Sequence, residues 1–186
     1  KQFCAEKRHY IPIFQNYFWF NDCWNLDWDI NIIMEENNIK AFIPFVVSKR
    51  FTKTFLIMPP LTPFVGPWLQ DNNLNSKRSL AYEKKYLNLI IESLPKYSIF
   101  SQSFCYSLKN WLPFYWEGFS QSTRYSYFIK KKTSKKLFEN FSSAYRNKIN
   151  NAKNTLKVEF KDNPKLFYDF WRKSFINKNI ECPLTF

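Results

Sequence analysis

Apolar and polar residues alternate from Trp28 to Met34, with Trp28, Ile30, Ile32 and Met34 on one side and Asp29 and Asn31 on the other. A period of two predicts a strand with one buried face. The polar run Glu35 to Asn38 predicts a turn, and Ile39 to Ser48 a second strand, so the two form a hairpin. Pro44 sits inside that second strand. Lacking an N–H, it demands an edge position or a bulge. Phe55 to Met58 predicts a third strand, stopped by Pro59-Pro60, and 61–70 is a loop punctuated by proline and Gly66.

The helical period appears in four places. Pro12, at a first helical position, is followed by Ile13, Phe14, Tyr17, Phe18 and Trp24, which predicts a short amphipathic helix. Over Ser79 to Leu94, the residues Leu80, Leu87, Ile90, Ile91 and Leu94 share a face, and Pro95 follows. Ser134 to Asn154 predicts the longest helix, with Leu137, Phe138, Phe141, Ala144, Tyr145, Ile149 and Ala152 as its buried stripe. Asn163 caps a final helix, with Pro164 in its first turn. Between these lie predicted strands at Tyr97 to Tyr106, Arg124 to Ile129 and Thr155 to Phe160, and an aromatic connector at Asn110 to Gly118. The order α-β-β-β-α-β-β-α-β-α is a mixed α+β architecture, antiparallel hairpins flanked by helices.

Composition narrows the chemistry. The chain has 186 residues, of which 45% are hydrophobic and 21% aromatic, so it can bury a core and is not a disordered tail. Two glycines exclude a Gly-rich phosphate loop within these residues. No apolar run approaches the ~18 residues of a spanning helix. Cys4, Cys23, Cys105 and Cys182 are scattered and His9 is the single histidine. That spacing builds no zinc site and argues against Cys–His or Ser–His hydrolysis. The cysteines read as reduced core thiols, which points to the cytoplasm. The chain opens on Lys1, not Met, so it reads as processed or cut from something longer.

Charge is distributed unevenly. Residues 1–75 carry seven basic and seven acidic groups, whereas 76–186 carry 21 and eight, so the whole net +13 lies in the second half. It peaks at 130–157, with nine basic groups against Glu139 alone. Such a field attracts phosphates, nucleic acid or anionic head groups. On the predicted helix there, Arg146, Asn150 and Lys153 fall at i, i+4 and i+7, flanked by Asn147 and Asn151. That row suits phosphate or carboxylate oxygens. The competing reading is a solvated lysine-rich face.

An ordered set of segments carries a resemblance: Pro12-Ile13-Phe14-Gln15, Met58-Pro59-Pro60-Leu61-Thr62-Pro63, Val65-Gly66-Pro67-Trp68, Asn110-Trp111-Leu112-Pro113-Phe114-Tyr115-Trp116, Thr123-Arg124-Tyr125-Ser126-Tyr127, and the helix from Tyr145 to Lys153. The chain resembles the GNAT-type acyltransferases of the FemAB-like (methicillin-resistance-protein-like) branch over nearly its whole length. The resemblance implies a GNAT-like, mostly antiparallel sheet flanked by helices, with 1–122 as a first lobe and 123–186 as the opening strand and helices of a second. It implies transfer of an acyl or aminoacyl group to an amine of a cell-envelope or sugar-linked precursor, from acetyl-CoA or another acyl-CoA, or from aminoacyl-tRNA, with no metal. The glycine turn that holds the CoA pyrophosphate in such enzymes is absent here, and is expected beyond Phe186 or not at all.

The roles that follow are specific. Arg146, Lys148 and Lys153 hold an anionic group, Tyr125 and Trp68 wall the acceptor cleft, and Gln15 bonds acceptor polar groups. Asp71, separated from Gly66-Pro67 by Trp68, Leu69 and Gln70 where the family's acid follows closely, is a weak candidate base. Catalysis rests on positioning and oxyanion stabilisation. The alternative is a basic tRNA- or nucleic-acid-binding module without catalysis of its own, its aromatics stacking on bases. A third is peripheral contact with anionic membrane through the lysine-rich segment.

Overall fold

The alternating segment forms strand β1 (Trp28–Glu35), and it pairs antiparallel with β2 (Asn38–Arg50). Glu36 and Asn37 join them with φ of 51° and 61°, the left-handed pair that a two-residue hairpin turn requires. Our computed structural model describes residues 2–6, 11–24, 26–70, 76–127 and 134–182. It divides into two compact units, the boundary falling between Arg124 and Tyr125.

In the first unit, β3 (Lys53–Ile57) pairs antiparallel with β2. Two short strands complete the sheet: β4 (Trp68–Leu69) is antiparallel to β2 at Ala41 and Phe42, and β5 (Ile99–Phe100) is parallel to β3. The sheet is therefore open, mostly antiparallel and ordered β1-β2-β3-β5, with β4 beside β2. Helices flank it, giving the mixed α+β class.

Pro44 corrects a sequence expectation. It lies in the central strand, opposite Ile30 of β1, not on an edge. On the other side of β2, β4 ends its pairing at Phe42 and β3 begins at Val46. The missing N–H falls in that gap, where no ladder bond is lost. Gln102 fills it, its Nε2 donating to the Pro44 carbonyl at 2.9 Å.

Helix α3 (Ser76–Ser93) covers one face of the sheet. Its Tyr86 and Ile90 pack with Ala41, Ile43, Phe45 and Leu56. Leu80, expected on that face, is exposed, because the buried stripe runs through Tyr86, Leu87 and Ile90 instead. The other face carries Phe42 with Trp68 and Ile11, and Val46 with Phe20 and Val65. Each buried large side chain contributes about 1.5–3 kcal/mol of transfer free energy.

Other segments differ from expectation. Residues 11–24 split into a 3-10 turn (Ile13–Gln15) and helix α2 (Tyr17–Asn21), preceded in the chain by α1 (Gln2–Glu6). Asn16 caps α2 by accepting from the Phe18 N–H at 3.3 Å. The aromatic connector contains helix α4 (Leu112–Trp116), whose Phe114 is buried against Phe104 and Phe119. The strand expected at 97–106 is reduced to β5 and one bridge at Phe104. Of the strand expected at 124–129, residues 124–127 join no ladder, and 128 and 129 lie outside the described residues.

The second unit holds α5 (Ser134–Glu139), α6 (Ser143–Thr155) and α7 (Pro164–Ile176). The single helix expected over 134–154 is broken at Asn140–Ser142, where the Ser142 hydroxyl accepts from the Tyr145 N–H at 3.4 Å and starts a new helix. Consequently α3, at 18 residues, is longer than either. Asn163 caps α7 as predicted, accepting from the Leu166 N–H at 3.0 Å. Leu156 is extended (φ −121°, ψ 139°), yet 156–160 joins no ladder among the described residues.

Candidate functional site

The 3-10 turn buries Gln15 to 3% exposure and aims its amide at the loop before β4. Gln15 Nε2 donates to the Val65 carbonyl at 2.6 Å and the Gly66 carbonyl at 3.0 Å. Two carbonyl neighbours fix which end of the amide faces the loop, since only the NH2 can donate. The Gln15 Oε1 has no hydrogen-bond partner among the described residues, and Gln15 lines a cavity.

Gly66 makes this junction possible. Its φ is 63°, and a Cβ there would lie 2.7 Å from Phe104 Cδ1 and 3.0 Å from Phe104 Cα. Its N–H donates to Gln102 Oε1 at 3.1 Å. Gln102 thus links the Pro44 gap to the Gly66 loop, and Gln15 holds the loop from the other side. From this anchored loop the chain enters β4 and places Trp68 flat on Phe42, with centroids 5.1 Å apart and planes 16° apart.

Gln15 and Trp68 share a cavity of about 300 Å³ with Gln70, the α3 residues Ser79, Tyr82 and Glu83, and the loop residues Cys105 and Ser107. Ser79, Tyr82 and Glu83 fall at i, i+3 and i+4, one face of the helix. Burial pushes the Tyr82 phenol up, reinforced by Tyr86 and Glu35, so it remains a donor at neutral pH. The Ser107 hydroxyl donates to Cys105 Sγ at 3.2 Å. Among the described lining residues Glu83 is the one charged group, although the chain carries 28 Lys and Arg. The wall offers an indole, amides, hydroxyls and a carboxylate. That set suits an amine or a hydroxylated ligand and disfavours a phosphate.

At the end of β1, Glu35 pins α3 to the sheet. Lys85 Nζ lies 2.8 Å from Glu35 Oε1, and the Tyr86 hydroxyl donates to Oε2. Hydrogen bonds from Lys85 and then Tyr86 hold the Glu35 carboxyl below its ordinary pKa.

The remaining sequence candidates lie elsewhere. Tyr125 is 92% exposed and belongs to the second unit. Arg146 is half-buried, its Nη1 donating to the Glu139 carbonyl at 3.0 Å at the end of α5. Lys153 Nζ lies 5.3 Å from the centre of the Phe138 ring, and Lys148 Nζ 5.7 Å from that of Tyr145. Two of the three cations are thereby turned toward α5 within their own unit. Asp71 lies outside the described residues, as does His9. Cys23 is exposed and Cys105 alone is buried, so the expectation of core cysteines holds for one of the four free thiols.

Sequence reasoning missed Ser79, Tyr82, Glu83 and Ser107. Periodicity marks α3, but nothing local says that Ser79, Tyr82 and Glu83 line one cavity with Gln15 and Trp68. Among the described residues, no cluster of three or more metal-ligating side chains occurs and no helix is long and apolar enough to cross a membrane. No protein-family model, curated protein or solved structure matches this chain.

Proposed function

We propose that this chain is part of a GNAT-like N-acyltransferase of the FemAB-like kind, and that the cavity beside Gln15 and Trp68 receives the acceptor amine. The observation that carries the reading is the convergence of Gln15 and Trp68, 53 positions apart in sequence, on one cavity whose sole charged described residue is Glu83. The carboxylate draws a protonated amine in, the Gln15 Oε1 accepts from it or from a neighbouring hydroxyl, and Trp68 supplies an apolar wall. In the reaction the ammonium first gives up one proton, the neutral amine then attacks a thioester or ester carbonyl, the C–S or C–O bond breaks, and the second nitrogen proton passes to the departing thiol or hydroxyl. Glu83, the one carboxylate among the described lining residues, receives the first of these protons. The donor is acetyl-CoA or another acyl-CoA, with aminoacyl-tRNA as the alternative.

Thiol release from acetyl-CoA in the presence of an amino sugar tests the reading. Amine-dependent release that falls at least about tenfold in Glu83→Gln supports it. Release independent of amine, or unaffected by Glu83→Gln, contradicts it.

A second reading has its own support. Tyr125 and Tyr127 are 92% and 99% exposed beside Arg124, an arrangement available for stacking on nucleic-acid bases. Retention of tRNA with a steep salt dependence, lost in a Tyr125→Ala/Tyr127→Ala double variant, would favour a nucleic-acid-binding module.

A further inference from the structure

Between α6 and α7 the chain carries an alternating apolar and charged segment, 156–160, that joins no ladder among the described residues. Lys157 Nζ lies 2.7 Å from Glu159 Oε1, and Lys161 Nζ 3.5 Å from Glu159 Oε2, so these three charges occupy one side. The intervening Leu156, Val158 and Phe160 are 69%, 90% and 105% exposed. A two-faced segment of this kind, apolar on one side with its backbone groups in no ladder, is a template for another strand.

We propose that this segment pairs antiparallel with the same segment of a second copy, about a two-fold axis at Val158. The charges select both occupant and register. Centred on Val158, Lys157 faces Glu159 of the second copy and Glu159 faces Lys157 of the second copy, while Leu156 meets Phe160 and Val158 meets itself. Shifting by two residues one way opposes Lys157 to Lys161 and Glu159 to Glu159; shifting the other way opposes Lys157 to Lys157. A one-residue slip turns the apolar face onto the charged one. Parallel in-register pairing stacks like charges. Opposite charges across a ladder stabilise and like charges destabilise, so one arrangement among these is favoured. An isologous two-fold contact of this sort closes on itself and makes a dimer.

The contact is small, so association is expected at roughly 10–100 µM. Sedimentation equilibrium of the full chain from about 10 to 300 µM should show the mass rising from 22.7 kDa toward about twice that value. Lys157→Glu places like charges opposite at both symmetry-related positions and should weaken association about tenfold or more. Adding Glu159→Lys restores the pairing with the signs exchanged and should return the dissociation constant to within about threefold of the parent. Circular dichroism checks that both variants keep their helices. A parent chain that stays monomeric throughout overturns the proposal. So does a dimer indifferent to Lys157→Glu, or a double variant that fails to recover.

Discussion

Helices α3 and α7 carry comparable apolar stripes, and their fates differ. The α3 stripe is closed by the sheet, chiefly β1 and β2, leaving Tyr86, Leu87 and Ile90 at 2% exposure or less. On α7, Phe167 and Phe170 remain 70% and 75% exposed, and no described residue of the second unit is buried. Amphipathic order sets which face of a helix can be buried. Whether it is buried depends on a partner surface, which most helical stability in proteins requires. The first unit has one, built on a hairpin that pairs locally. The second has charge, caps and ion pairs, and a bare apolar side.

Substitutions in the two units should separate them sharply. Phe45→Ala, at a position with 0% exposure in the central strand, should cost about 3–5 kcal/mol in denaturant unfolding of the first unit. A loss below about 1 kcal/mol would mean that the core is not closed there. Gly66→Ala should cost about 1–3 kcal/mol, since it combines a left-handed backbone with a clash against Phe104. The same variant should weaken ligand binding in the cavity, because Trp68 follows from that turn. An unchanged stability would show that the Phe104 ring yields freely.

Acid tests the Glu35 lock on α3. The Glu35 carboxyl titrates below its ordinary value when folded, so its contribution is complete above about 4.5 and is lost as pH falls through the depressed value. Melting temperature measured against pH should therefore drop less steeply on acidification in Glu35→Gln than in the parent. Parallel curves would contradict the assignment. Smaller still, Arg146→Ala removes the bond to the end of α5 and should lower the helicity of the second unit with a cost below about 1 kcal/mol. Phe170→Ala should stay within about 0.5 kcal/mol in the single chain, the counterpart to Phe45→Ala that makes the contrast quantitative.

What was legible in the sequence follows the same division. The hairpin, α3 and α7 are readable because their signals are local: a period of two with a polar turn, a period of 3.6, and Asn163 before Pro164. β4 is two residues long and its partners lie 26 and 28 positions upstream, so no periodicity marks it. The break at Asn140–Ser142 hides inside an unbroken apolar stripe, and only the Ser142 cap decides it. At 156–160 the alternation is correct and the ladder is missing, because alternation describes faces and not neighbours. Gln15 and Trp68 were reached through the motif resemblance. Ser79, Tyr82 and Glu83 become candidates once the fold brings them to one cavity with Gln15 and Trp68, which is a tertiary fact.

The most direct test of where this chain meets its substrate is chemical-shift mapping of the isotopically labelled protein during titration with an amino sugar and with its neutral counterpart. The account predicts that the amino sugar moves the Gln15 side-chain amide, the Trp68 indole N–H and the amides of 79–83, and that the neutral sugar does so more weakly. Shifts confined to 145–153, or equal responses to both sugars, would contradict it.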